Sequence, residues 1–319
     1  MSTAPSGTGS ARPRIDLRQL HYFCAVVDEG SISRAAARLH MSQPPLTVQI
    51  HNLEAELGIQ LLQRHKKGVV PTAAGAALVE EARGILRHTL HSVERVRQVG
   101  RGEVGALRIG IIGSAMWGEF IGILKRLQAN YPQVDWSLHE LNPNAQVEAL
   151  RERRIDVGFW RTPLSSKEFT CTRVAAESVA AALPERHPLL ARKSLPLAAL
   201  ADEALVMMNP AVSEFAAALM ASCRSAGFEP RVAHTANEPA TLLALVCGGS
   251  GITLLPESLQ QISWPGVTFR PIASPRLSAD LYMFARAGET SAVVANFAAL
   301  AKTRARGAEA PTRGSKAAR

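Results

Sequence analysis

Along residues 16 to 57, apolar side chains recur at helical spacing, with polar positions between them. Leu20, Phe23, Cys24 and Val27 follow i, i+3, i+4, i+7, and Ile32, Ala35, Ala36 and Leu39 repeat that spacing. Each set makes one apolar stripe, so two short helices are predicted, separated by Gly30. Ser33 is the expected cap of the second, and the small Ala35 and Ala36 let a neighbouring helix approach closely. A short turn at His40 and Met41 leads to Ser42, the next cap candidate. A third helix follows, with Leu46, Ile50, Leu53 and Leu57 on its buried side and Gly58 as its stop. Pro44 and Pro45 fit only in its first turn, where backbone N–H groups have no helical partner. Helix, tight turn, helix with apolar inner faces is the pattern of a helix-turn-helix.

The side of the third helix opposite Leu46 carries Pro44, Val48, His51 and Ala55, flanked by Thr47 and Asn52. After Gly58, IQLLQRHKKGVVPT reads as strand, basic turn and strand, with Arg64, His65, Lys66 and Lys67 at the tip. Beside a helix-turn-helix these groups are suited to gripping phosphates; alone they would be a solvated turn. From Thr72 to Val99 the pattern is one long helix. Leu78, Ala82, Ile85, Leu86, Leu90, Val93 and Val96 form a seam that needs a partner, either a second copy or its own domain. Arg101 to Gly105 is expected to be a hinge. Beyond it, short apolar strands (LRIGII, VDWSLHEL, IDVGFW, SVAAAL, ALVMM, GITLLP, ADLYMFA) alternate with amphipathic helices, which predicts α/β construction with mostly parallel sheets in two lobes. Ligands of such folds sit at the carboxyl ends of strands.

Composition narrows the function. The chain has 319 residues and a net charge of +9, enough for two or three domains and favourable to a polyanionic partner or an anionic membrane surface. No run approaches the ~20 apolar residues of a membrane helix, and MSTAPSGTGSARPR has no signal-sequence character, so a cytoplasmic protein without membrane attachment is expected. The four cysteines have no metal-ligand spacing; Cys24 and Cys247 lie in apolar runs and read as core. His88 and His91 share a helix face without a third ligand, so no metal is expected. The sequence holds no phosphate-binding glycine fingerprint, no nucleophile elbow and no His beside a strong nucleophile, so neither catalysis nor a cofactor is expected. Residues 106 to 302 alone would suit a solute-binding protein, which the helix-turn-helix opposes.

Taken together, ISRAAARLHMSQPPLTVQIHNLEAELGIQLLQR, the long helix and LRIGIIGS resemble a LysR-type transcriptional regulator over the whole chain between its tails. NAQVEALRERRIDVGFWR and CGGSGITLLP resemble the branch that responds to muconate, benzoate or chlorocatechol-pathway acids. The resemblance implies a winged helix-turn-helix, a dimerising linker helix and a two-lobed effector domain built like a periplasmic binding protein. It also implies a homodimer or homotetramer on promoter DNA, acting on RNA polymerase indirectly, with a small organic acid as effector. The expected layout is a tail at 1–14, the DNA-binding domain at 15–73, the linker helix at 74–100, the effector domain at 105–302 and a basic tail at 303–319. Lobe I is expected at about 105–175 and 278–302, and lobe II at about 176–277.

Carried over residue by residue, the DNA-facing set is Ser33, Ser42, Gln43, Pro44, Pro45, Thr47, Val48, His51, Arg64, Lys66 and Lys67. The family's common Ser-Arg pair is Thr47-Val48 here; Val48 offers only apolar contact, for instance to a thymine methyl. The effector set is Gly113, Ser114, Pro143, Arg161, Ser213, Phe215 and Glu238, with Pro143 standing where the muconate branch has a hydroxyl donor. Ser114 is either a ligand donor at a helix start or a plain cap. Arg161 either pairs with an anion across the cleft or belongs to a structural ion pair.

Overall fold

The computed structural model describes residues 14–66 and 68–302, which form two compact units dividing between Arg97 and Gln98. In the first, α1 (Leu17–Glu29) begins with a capping box between Asp16 and Gln19 and ends at Gly30, whose φ of 58° few other residues adopt. The cap of α2 (Ile32–Arg38) is Ser31 and not Ser33: the residue outside the helix is the one whose extended backbone lets its hydroxyl meet the Arg34 amide. α3 (Gln43–Leu57) starts at Ser42, whose side chain makes no cap bond, and its prolines occupy the first turn. Phe23, Ala35, Leu46, Ile50 and Leu53 are buried together, so the stripes read from the sequence become one core.

The wing is β1 (Leu62–His65) paired antiparallel with β2 (Gly68–Pro71). Its base is tied to α1 because the Val69 amide donates to the Gly30 carbonyl at 3.0 Å, and Gly68 lies so close to that carbonyl that a Cβ would collide with it. α4 (Ala73–Gly100) carries the chain onward. Its seam divides: Ala82 packs with Leu20 and Cys24 of α1, whereas Leu90 and Val96 are 71% and 72% exposed.

The second unit has two lobes. The expected hinge is shorter than its five residues, since β3 (Val104–Ile111) already includes Gly105. Lobe I is a five-stranded sheet in the order β4 (Gln133–Glu140), β3, β5 (Val157–Trp160), β13 (Leu281–Arg286), β6 (Phe169–Ala175). It is covered by α5 (Glu119–Asn130), α6 (Pro143–Arg151) and α9 (Ala292–Lys302), and Phe120, Phe159 and Phe297 meet edge to face in its core. Lobe II holds β7 (Val179–Pro184), β8 (Leu195–Pro196), β11 (Thr253–Pro256) and β12 (Val267–Ser274) in the order β11-β7-β12-β8. A parallel pair, β9 (Ala204–Met208) with β10 (Arg231–Ala236), and helices α7 (Glu214–Ser225) and α8 (Pro239–Cys247) complete it.

The sheets are mixed, contrary to the expectation of mostly parallel pairing. β3 runs parallel to β4 and β5, but β13 returns from lobe II antiparallel to both β5 and β6, and β7 is antiparallel to both neighbours. A chain that leaves one lobe and comes back must reverse direction as it re-enters, which sets the antiparallel strand. Cys24 is buried as expected, but Cys247 is exposed: it is the last residue of α8, and its thiol donates to the Pro265 carbonyl at 3.3 Å. No described helix is long and apolar enough to cross a membrane.

Candidate DNA-reading face and effector cavity

On the first unit, Ser33, Ser42, Gln43, Pro44, Pro45, Val48 and His51 are exposed on α2 and α3, and Thr47 is half-buried. The Ser33 hydroxyl donates to the Gln43 side-chain oxygen at 2.8 Å, linking the two helices at their exposed edge. The Thr47 hydroxyl donates back to the Gln43 carbonyl at 3.0 Å, so it reaches a nucleic acid as an acceptor unless that bond opens. Val48 is 54% exposed, an apolar group between the polar Gln43 and His51. Arg64 and Lys66 are exposed at the wing; Lys67, and both terminal tails but for Arg14, lie outside the described residues. Glu54 was missed by the sequence reading. Its carboxylate accepts from the Leu61 and Leu62 amides at 2.8 and 3.1 Å, which fixes the wing beside α3. Only the spacing of an acidic residue one helical turn before Gly58 hinted at it.

On the second unit, the chain leaves β3, β4, β5, β9 and β10 at their carboxyl ends around one cavity of about 310 Å³. All seven residues expected at an effector site line it: Gly113, Ser114, Pro143, Arg161, Ser213, Phe215 and Glu238. Their local settings explain how they arrive there. Gly113 and Ser114 follow β3 where a helix begins, as expected, but the helix is a single 3-10 turn that Met116 to Gly118 separate from α5. Asn142 caps α6 and sets Pro143 at its start; Ser213 caps α7 through the Ala216 amide at 3.2 Å; Glu238 is the N-cap position of α8 but makes no cap bond.

Arg161 follows β5 and is almost wholly buried, its side chain 1% exposed. Nη1 donates to Glu177 at 2.8 Å and to the Ala279 carbonyl, Nη2 to the Ser114 carbonyl at 2.6 Å, and Nε to the Ser114 hydroxyl at 3.2 Å. Of the two readings open to it, the structural ion pair is the one formed; the Ser114 hydroxyl accepts from Arg161, keeps its own O–H to donate, and stands inside the 3-10 turn and not at its cap position. Glu177 also accepts from the Ser258 amide at 2.6 Å, so the pair joins lobe I to lobe II. Burial lowers the Arg161 pKa and the adjoining Glu177 carboxylate opposes that shift.

Glu140 is the cavity residue the sequence reading missed, although its place as the last residue of a parallel strand was a usable signal. Its carboxyl group and that of Glu238 both lie close against Gly113; burial and then the neighbouring Glu140 charge push the Glu238 pKa up from the ordinary carboxylate range. Among the described residues, no group of three or more His, Cys, Asp or Glu side chains is arranged to hold a metal.

A winged helix-turn-helix joined by a long helix to a two-lobed domain with a cavity at its strand ends defines a ligand-responsive class of transcriptional regulator. Residues 17–76 match the profile of the bacterial regulatory helix-turn-helix protein, lysR family, and residues 100–306 that of the LysR substrate binding domain. The chain is 42% identical over 271 residues to the transcriptional regulator XapR of Escherichia coli K12, covering 85% of this chain and 92% of that one. It is 33% identical over 283 residues to BenM of Acinetobacter baylyi, covering 88% and 93%. The crystal structure of CbnR superposes with a TM-score of 0.84 at 32% identity over 90% of this chain and 100% of that one; CbnR in complex with its target DNA gives 0.79. The chain belongs to the LysR family and is a DNA-binding transcriptional regulator.

Proposed function

We propose that this regulator reads a promoter site with α2, α3 and the wing, as a homodimer or homotetramer paired through α4, and that a small molecule in the cavity between its lobes governs transcription. The observation that carries the effector half is the convergence of seven expected residues, from both lobes, on one cavity at the strand ends. The exposed Leu90 and Val96 on a helix of 28 residues supply the pairing surface. Base reading falls to Gln43, Val48 and His51, and phosphate affinity to the wing. The chain acts in the cytoplasm without catalysing a reaction, and RNA polymerase feels it indirectly.

The test is a gel shift and footprint on the DNA upstream of its own gene, with and without candidate effectors. Specific binding whose footprint length changes with one compound is the expected result; binding indifferent to sequence would overturn the reading.

A further inference from the structure

Among the described residues lining the cavity, Arg161 is the only Lys, Arg or His, and it has little left to offer. Four of its five N–H groups are committed to Ser114, Glu177 and Ala279, and Glu177 already balances its charge. Facing the same space are Glu140, Glu214 and Glu238. An acid entering there would meet carboxylates and no free cation.

We propose that the effector is a hydrogen-bond donor, either uncharged and hydroxylated or bearing an amino group, gripped by Glu140 and Glu238, and that organic acids are excluded. This rests on the reading of the cavity as the effector site. Glu140 comes from the end of β4 in lobe I and Glu238 from the start of α8 in lobe II. Their oxygens converge on one point: a Cβ added to Gly113 would lie 2.5 Å from Glu140 Oε1 and 2.8 Å from Glu238 Oε2. Only glycine leaves room for them. Two acceptors held that close, one on each lobe, suit a pair of O–H groups or an ammonium, and a ligand bridging them draws the lobes together.

Three helix N-termini at the rim pull the other way, because each carries about half a positive charge. That attraction is largely answered within the protein. Glu214 lies in the first turn of α7, Glu238 stands at the cap of α8, and Asn142 accepts from the Ala145 amide at the start of α6. A further anion would meet the charges of Glu214 and Glu238 there and compete with Asn142, whereas a donor ligand leaves all three in place. The raised pKa of Glu238 agrees with two acceptors crowding each other before a donor arrives.

The full-length chain, its Glu140→Gln and Glu238→Gln forms and the double variant would be titrated calorimetrically at fixed salt with a metabolite library sorted into three classes. Acids are represented by cis,cis-muconate and benzoate, uncharged polyols and glycosides by xylitol and methyl glucoside, and amines by putrescine. At least one polyol, glycoside or amine is expected to bind one per chain, weakened roughly ten- to a hundredfold in the double variant. Steep weakening with added salt identifies an ammonium ligand, and indifference to salt a hydroxylated one. The proposal is overturned if an acid binds more tightly than every compound of the other two classes, if neither of those classes binds, or if the double variant binds as well as the wild type. DNA binding without ligand is measured separately. Its absence would sink the regulator reading while leaving the ligand preference standing.

Discussion

The Ser33 hydroxyl holds the side-chain oxygen of Gln43 across the turn between α2 and α3 at 2.8 Å. With its oxygen turned towards Ser33, the carboxamide directs its two N–H donors outward, towards acceptors such as a phosphate or the O6 and N7 of guanine. Ser33→Ala frees the amide to rotate. Affinity for the regulator's own site is expected to fall roughly two- to tenfold, the worth of one ordinary hydrogen bond. Fluorescence anisotropy on the upstream DNA measures it, with the melting temperature unchanged because Ser33 is exposed. Equal affinities would mean that Gln43 is positioned by something else.

Val48 stands 54% exposed on that same face and can offer a base only apolar contact. A thymine is expected opposite it. Val48→Arg supplies a bidentate donor and is expected to move the preference at that step from T towards G, by ~1 to 3 kcal/mol of discrimination. Selection of bound sequences from a random pool decides it, and an unchanged consensus would remove Val48 from the list of base-reading residues.

The outer half of α4 exposes Leu90 and Val96 by 71% and 72%, whereas Ala82 in its inner half is buried against Leu20 and Cys24. Leu90→Glu with Val96→Glu places like charges on both sides of a paired seam. Sedimentation velocity is expected to show monomer where the wild type is dimeric or larger. Affinity for a two-fold symmetric site should drop at least ~10-fold, because a monomer holds one half-site only. A variant that still sediments as the wild type would exclude this seam.

Much of this fold was legible because periodicity reports one-sided burial. Leu46, Ile50 and Leu53 were readable at helical spacing, and they are the buried side of α3. β10 was not, since five of its six residues are exposed and it pairs with β9 alone, so no alternation marks it. Residue identity also located the cavity better than it described its chemistry. Arg161 was visible as a cation after an apolar strand. That its charge is spent on Glu177, sixteen residues later at the junction of the lobes, depends on tertiary contacts that spacing does not encode. Ser33 shows the same limit: a serine near a helix start fits a cap, and only the geometry separates it from Ser31.

Asp156 anchors lobe I. Its carboxylate accepts from the Arg108 backbone at 2.8 Å, from Arg108 Nε and Nη2 at 3.0 and 2.8 Å, and from Arg286 Nη2 at 3.3 Å. Burial works to raise the pKa of Asp156, but the Arg108 and Arg286 bonds outweigh it and hold the group below the ordinary carboxylate range. Between the folded value and an unfolded value of about 3.9, the unfolded chain therefore binds more protons. The stabilisation is complete above the unfolded value and is lost as pH falls through the folded one. Asp156→Asn removes it at every pH. Because Arg108 is 44% exposed and partly screened, the expected cost at neutral pH is about 2–3 kcal/mol. Urea unfolding followed by circular dichroism should give a gap between wild type and variant that is widest at neutral pH and narrows towards about pH 3. A gap of equal size at both ends would assign the loss to packing and not to the ionised carboxylate.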